Sequence, residues 1–133
     1  MTSPPPDAED PSVLIVDDNE KNRKLAQDVL RAAGFRTLEA ASGGEAIALA
    51  TEHLPDVILM DLRLPDMDGT DAARRLAEGA RTARIPVVAL SAQPLESGAD
   101  WFDAAGFAGY IEKPIDVAGF ADRVRRYRSK PGG

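Results

Sequence analysis

The side chains with the most chemistry to offer fall just past short apolar runs. Asp17 and Asp18 follow Val13-Leu14-Ile15-Val16, Asp61 follows Val57-Ile58-Leu59-Met60, Ser91 follows Val87-Val88-Ala89-Leu90, and Lys113 lies just beyond the run Phe107 to Ile111. If the runs at 13–16 and 57–60 are neighbouring strands, three carboxylates meet within a few ångströms. Like charges that close repel unless a cation or an ammonium group compensates them. An all-oxygen set with few protein ligands favours Mg²⁺, which keeps waters and commonly bridges to a phosphoryl group. Lys113 adds a point positive charge suited to a phosphoryl oxygen, and Ser91 adds a hydroxyl donor. A carboxylate in such company can attack phosphorus and form an aspartyl phosphate, with metal and lysine stabilising the charge spread over the transferring group.

Such convergence needs a particular scaffold. The four apolar residues Val57 to Met60 sit between Pro55-Asp56 and the turn-forming cluster Pro65-Asp66-Met67-Asp68-Gly69. A run so short and so bounded reads as a strand buried on both faces. Ser12 to Val16 reads the same way, Phe35 to Ala40 as a more polar strand near a sheet edge, and Ile85 to Leu90 and Phe107 to Ile111 as the fourth and fifth strands. Between them the apolar period changes to that of helices: Glu20 to Ala33, with Leu25, Ala26, Val29 and Leu30 on one face and Gly34 as the stop; Ser42 to about His53, opened by the capping-box spacing of Ser42 and Glu45; about Thr70 to Glu78; about Leu95 to Ala104, carrying Trp101 and Phe102; and about Asp116 to Tyr127. Five βα units joined by short connections predict an α/β fold with a parallel sheet covered on both faces. In open α/β sheets the crevice at the carboxyl ends of the strands is where sites lie.

Composition narrows the class. A chain of 133 residues with 44% apolar content suits one domain with a single core. Its lack of cysteine excludes disulfides and thiolate metal sites. A formal charge of −6 argues against general DNA binding, and no apolar run approaches the roughly 20 residues that span a bilayer. Residues 1–11, with four prolines and three acids, read as a flexible leader without signal-peptide character, and 129–133 as a fraying tail. A cytoplasmic protein is expected.

Four segments in order, Val13 to Asn19, Leu59 to Gly69, Ala89 to Ala92 and Tyr110 to Pro114, make the sequence resemble the CheY-like receiver domains of two-component response regulators. The intervals between Asp18, Asp61, Ser91 and Lys113 match as well, and the resemblance covers about residues 12–128. Within the family the chain looks most like stand-alone receivers of the DivK type, particularly in Asp18-Asn19-Glu20-Lys21-Asn22.

The resemblance implies a flavodoxin-like doubly wound (βα)5 sandwich with strand order 2-1-3-4-5. It implies Asp61 as phosphoacceptor. It implies Mg²⁺ held by Asp18, Asp61 and the backbone carbonyl of Arg63, with Asp17 acting through water. Ser91 and Lys113 would contact the phosphoryl group, Tyr110 would change rotamer as Ser91 moves, and Lys113-Pro114 would be a cis peptide. The donor would be a histidine kinase or a phosphotransfer protein, docking on the first helix around Asn22 and Arg23. Output would be a downstream protein bound through the fourth helix, fifth strand and last helix, or onward phosphotransfer. No DNA-binding domain and no membrane segment are expected, and the protein would be a monomer or a phosphorylation-dependent dimer. It would not be an enzyme acting on others, only a phosphoacceptor with self-catalysed phosphorylation and slow autodephosphorylation.

Some residues depart from the pattern or carry plainer readings. Arg63 puts a long cation two residues past Asp61, where it can influence phosphoryl lifetime or pair with an acid. Gln93 can orient a hydrolytic water or face solvent, and Pro94 interrupts the start of the fourth helix. His53, the only histidine, reads as a cap or surface residue. The cations Arg123, Arg125, Arg126, Arg128 and Lys130 read as the solvated side of the last helix. The rival functions are a receiver-shaped binding module that works without phosphorylation, and a phosphohydrolase with an aspartyl nucleophile.

Overall fold

The computed structural model describes residues 11–91, 105–113, 115 and 117–127. Within them the chain runs β1 (Ser12–Val16), α1 (Glu20–Ala32), β2 (Arg36–Ala40), α2 (Gly43–His53), β3 (Val57–Asp61), α3 (Gly69–Glu78), β4 (Val87–Ser91), β5 (Gly109–Glu112) and α4 (Phe120–Tyr127). The strands form one parallel sheet in the order β2-β1-β3-β4-β5. The helix expected over 95–104, Gln93, Pro114 of the Lys113-Pro114 peptide and Arg128 lie outside the described residues, as do residues 1–10 of the leader and the tail. No helix among the described residues is long and apolar enough to cross a membrane.

The central strands are apolar along Val13–Val16, Val57–Met60 and Val87–Leu90 because both faces are covered. Leu14, Val16, Ile58, Met60, Val87 and Ala89 pack under α2 and α3, against Ala46, Ala50, Ala72, Ala73 and Leu76. The alternate residues Val13, Ile15, Val57, Leu59, Val88, Leu90 and Ile111 pack on the other side against Ala26, Leu30, Phe35, Phe120 and Val124. The period-two geometry of a strand divides one apolar run between two cores. Each large aliphatic buried this way contributes about 1.5–3 kcal/mol.

Local signals set the boundaries. Gly34, at φ +96°, closes α1: its N–H donates to the Arg31 carbonyl and that of Phe35 to the Leu30 carbonyl, the Schellman pattern that favours glycine. Pro86, with no N–H to give the ladder, stays outside β4, and its carbonyl accepts from Ile58 N at 3.0 Å. Leu25 departs from its expected inward position and is 41% exposed, so the buried stripe of α1 is narrower than its apolar content suggests. The last helix starts at Phe120 rather than 116. Its cations are not simply solvated: Arg125 donates to the Ala33 carbonyl at 3.1 Å and lies over the Phe35 ring, and Arg123 donates to the Tyr110 carbonyl at 3.1 Å. His53 ends α2 half-exposed, as a surface residue.

Candidate functional site

Register brings the acids together. Val16 on β1 pairs with Met60 on β3, so the next residues, Asp17 just past β1 and Asp61 at the end of β3, come together at the carboxyl edge. Asp17 is 2% exposed. Its Oδ1 accepts from Asn19 N at 2.9 Å and its Oδ2 from Lys113 Nζ at 2.9 Å. Asp61 uses Oδ1 to accept from Arg63 N at 3.2 Å and Oδ2 to accept from Lys113 Nζ at 3.1 Å. Lys113 in turn is tied to β4, its N–H donating to the Ser91 carbonyl at 2.7 Å. The Asp18 carboxylate is exposed and has no protein partner among the described residues. One oxygen from each of Asp17, Asp18 and Asp61 lies within 4.8 Å of the others. These acids, with Asn19, Asn22, Arg63, Ser91 and Lys113, line a cleft of about 470 Å³ at the carboxyl edge.

The electrostatics of the cleft are strained in one direction. Burial pushes the Asp61 carboxyl above its ordinary 3.8, and the Asp17 charge adds to the rise, while the Arg63 backbone N–H and the Lys113 ammonium pull it down without cancelling it. For Lys113 the largest influence is again burial, which disfavours the ammonium, but its bonds and charges with Asp17 and Asp61 outweigh it and raise the pKa above 10.5. Asp17 and Asp61 thus share one ammonium group, with the Asp18 carboxylate beside them.

The loop after β3 is held from two sides. The N–H of Gly69 donates to the Leu62 carbonyl at 2.8 Å, closing residues 62–68 onto the strand end, and Arg63 pairs with Asp68 across the loop. A Cβ on Gly69 would overlap the carbonyl oxygen of Asp61, so the close approach requires glycine. From the loop tip, Asp66 reaches α2 and accepts from Gly43 N at 2.8 Å and Gly44 N at 2.9 Å. Those two backbone bonds hold the Asp66 carboxyl below its ordinary 3.8.

The structure therefore gathers Asp17, Asp18, Asp61, Arg63, Ser91 and Lys113 into one cleft. Tyr110 stands apart from it, partly buried against the core beneath α2 and α3. Sequence reasoning found the Ser42 and Glu45 box, though Glu45 reaches the N–H of Ala41 rather than that of Ser42. It missed Asp66 as a second cap, because residues 23 positions apart in sequence give no local sign of meeting. It named Arg23 with Asn22 for donor docking, and did not foresee that the Arg23 guanidinium donates to the Asp17 carbonyl at 2.7 Å.

Residues 13–125 match the family model described as the response regulator receiver domain. The chain belongs to that family. Among its relatives is the polar-differentiation response regulator DivK of Brucella ovis, 40% identical over 116 residues, covering 87% of this chain and 94% of DivK; DivK of Brucella anthropi is 39% identical over the same shares. Among solved structures, the Vibrio cholerae chemotaxis protein CheY4 superposes with a TM-score of 0.83 at 26% identity, covering 89% of this chain and 98% of that one. The receiver domain of a Pseudomonas aeruginosa sensor histidine kinase, solved with a magnesium ion coordinated in its active site cleft, gives 0.80 at 32% identity, covering 89% and 97%. The receiver resemblance read from four sequence segments and the strand order it implied both hold.

Proposed function

We propose that this receiver accepts a phosphoryl group on Asp61 from a histidine kinase or a histidine phosphotransfer protein, in a Mg²⁺-dependent reaction. The observation that carries the reading is the shared ammonium: Lys113 Nζ bonds Asp17 and Asp61 at 2.9 and 3.1 Å beside the carboxylate of Asp18. A carboxylate oxygen of Asp61 attacks phosphorus, the bond from phosphorus to the donor imidazole nitrogen breaks, and the nitrogen keeps the electron pair. Lys113 sits where it can leave the Asp61 oxygen and take up a phosphoryl oxygen without losing Asp17. Ser91, on the same cleft wall, supplies a hydroxyl to that group.

The donor set fits magnesium. It is all oxygen, it sets three carboxylates beside the Lys113 ammonium, and Asp18 has no partner among the described residues. Asp18, Asp61 and the Arg63 carbonyl would hold the ion, with Asp17 reached through water. When bound, Mg²⁺ supplies the positive charge that the cleft lacks as charge builds on the phosphoryl oxygens.

The consequence of phosphorylation is a population shift: new bonds to Ser91 and Lys113 favour one of two existing arrangements, and Tyr110 follows. The face carrying β5 and α4 then binds a downstream protein, or the phosphoryl group passes onward. Slow self-dephosphorylation returns the resting state, with no turnover of outside substrates. The test is Mg²⁺-dependent labelling by acetyl phosphate. Wild type should label and Asp61→Asn should not; undiminished labelling of the variant rejects the assignment. Equal partner affinity for wild type, Asp61→Asn and a phosphoryl-mimic complex would instead favour a module that ignores phosphorylation.

A further inference from the structure

The peptide between Asp17 and Asp18 is held from outside the cleft. Arg23, early in α1, donates from Nη1 to the Asp17 carbonyl oxygen at 2.7 Å. Its Nε faces Glu39 Oε1 on β2 at 3.4 Å, and Gln27, one turn further along α1, donates from Nε2 to the other Glu39 oxygen at 3.1 Å. The Arg23 side chain is 17% exposed. A planar guanidinium can serve a carbonyl and a carboxylate at once, which a lysine, as a point donor, cannot.

Every polar group of Asp17 is thereby committed: its N–H to the Ala40 carbonyl, its carboxylate to Asn19 N and Lys113, its carbonyl to Arg23. Asp18 is the opposite case. With no partner for its carboxylate among the described residues, its aim depends on the peptide plane that precedes it, and Arg23 grips that plane by its oxygen.

We infer that Arg23 is a positioning residue for the cation site, holding the Asp17–Asp18 peptide so that the free Asp18 carboxylate faces the cleft, with Glu39 and Gln27 holding Arg23 in place. It touches none of the reacting atoms. The inference rests on the reading of the acidic cluster as a Mg²⁺ site.

Charge and geometry make opposite demands here, which gives the test its sign. By charge alone, removing a cation beside a cation site tightens Mg²⁺ binding. By positioning, removing Arg23 loosens it, and outer partners of metal ligands are commonly worth about 10–100-fold in affinity. Metal-free full-length wild type, Arg23→Ala, Arg23→Lys and Gln27→Ala are titrated with MgCl₂ by calorimetry. Their backbone amide shifts at 17–19 are compared by NMR before any metal is added. Arg23→Ala is expected to bind about tenfold more weakly or worse. Arg23→Lys should fall closer to Arg23→Ala than to wild type, Gln27→Ala should weaken slightly, and the amides of Asp18 and Asn19 should shift in the metal-free proteins. Wild-type or tighter affinity in Arg23→Ala overturns the inference alone. Absence of Mg²⁺ binding by wild type overturns the site reading and the inference with it. If Arg23→Ala does not fold, the two charge-preserving variants decide, and wild-type affinity in both overturns the inference.

Discussion

Two aspartates flank the central strand, and their circumstances are opposite. Asp56, just before β3, accepts from Ser12 N at 2.7 Å, while its own N–H donates to the Ser12 carbonyl at 2.9 Å. The exchange ties the start of β1 to the start of β3. Asp61, at the other end, is half buried beside Asp17 and shares its ammonium. The amino edge of the sheet uses a carboxylate to finish a backbone ladder. The carboxyl edge gathers carboxylates that the ladder does not need. Stability and chemistry are thus separated along one strand, as expected where a site is preorganised at some cost to the fold. Helix polarity reinforces the split, since α1, α2 and α3 begin at the carboxyl edge with Glu20, Glu45 and Asp71 in their first turns.

The contrast can be broken by substitution. The largest effect is expected from Gly69→Ala. The added methyl meets backbone at Asp61 and Leu62, which cannot swing aside, so overpacking should cost about 3 kcal/mol and reduce acetyl phosphate labelling by displacing Asp61. Urea unfolding and labelling of the same sample check both; wild-type values in each would mean the loop is not held as described. Next is Asp56→Ala, which strands the Ser12 N–H. A loss of about 2 kcal/mol is expected with labelling retained, and loss of labelling in a folded variant would show that the two edges are not independent.

Asp61→Asn should move stability the other way. Removing the charge relieves burial and repulsion from Asp17, while Lys113 keeps Asp17 as a partner. Metal-free variant should melt a few degrees above metal-free wild type, as about 1 kcal/mol does in a domain of this size. A lower Tm would mean the Lys113 bond outweighs the burial. The smallest effect is its pH dependence. Because the folded carboxyl titrates above its ordinary 3.8, folding takes up a proton in that window, and the penalty from Asp61 fades as pH falls through it. The gap between wild type and Asp61→Asn should therefore narrow between neutral and acid melts. Lys113 works at the other end: its raised pKa means that its contribution is whole below 10.5 and is lost as pH climbs through the folded value.

Much of the site was legible because its residues sit at fixed offsets from strand ends, and strands announce themselves. Val57 to Met60 could only be buried on both sides, and whatever follows such a strand emerges at the edge. What could not be read was which way long side chains turn. Arg23 has the spacing of an outward helical residue, yet a backbone oxygen and Glu39 draw it in. Arg123 and Arg125 looked solvated, yet they fasten α4 to β5 and to the end of α1. Leu25 looked buried and is 41% exposed.

Apolar runs, turn residues and their intervals determined by themselves the alternation of strands and helices, the parallel sheet, and the membership of Asp17, Asp18, Asp61, Ser91 and Lys113 in one edge. These follow from local periodicity, which needs no knowledge of the rest of the chain. The pairing of Val16 with Met60, the cap that Asp66 gives to α2 and the grip of Arg23 on Asp17 were decided only when distant segments packed. Hydrogen-bond partners far apart in sequence are chosen by the geometry of the finished core, and no local pattern encodes them.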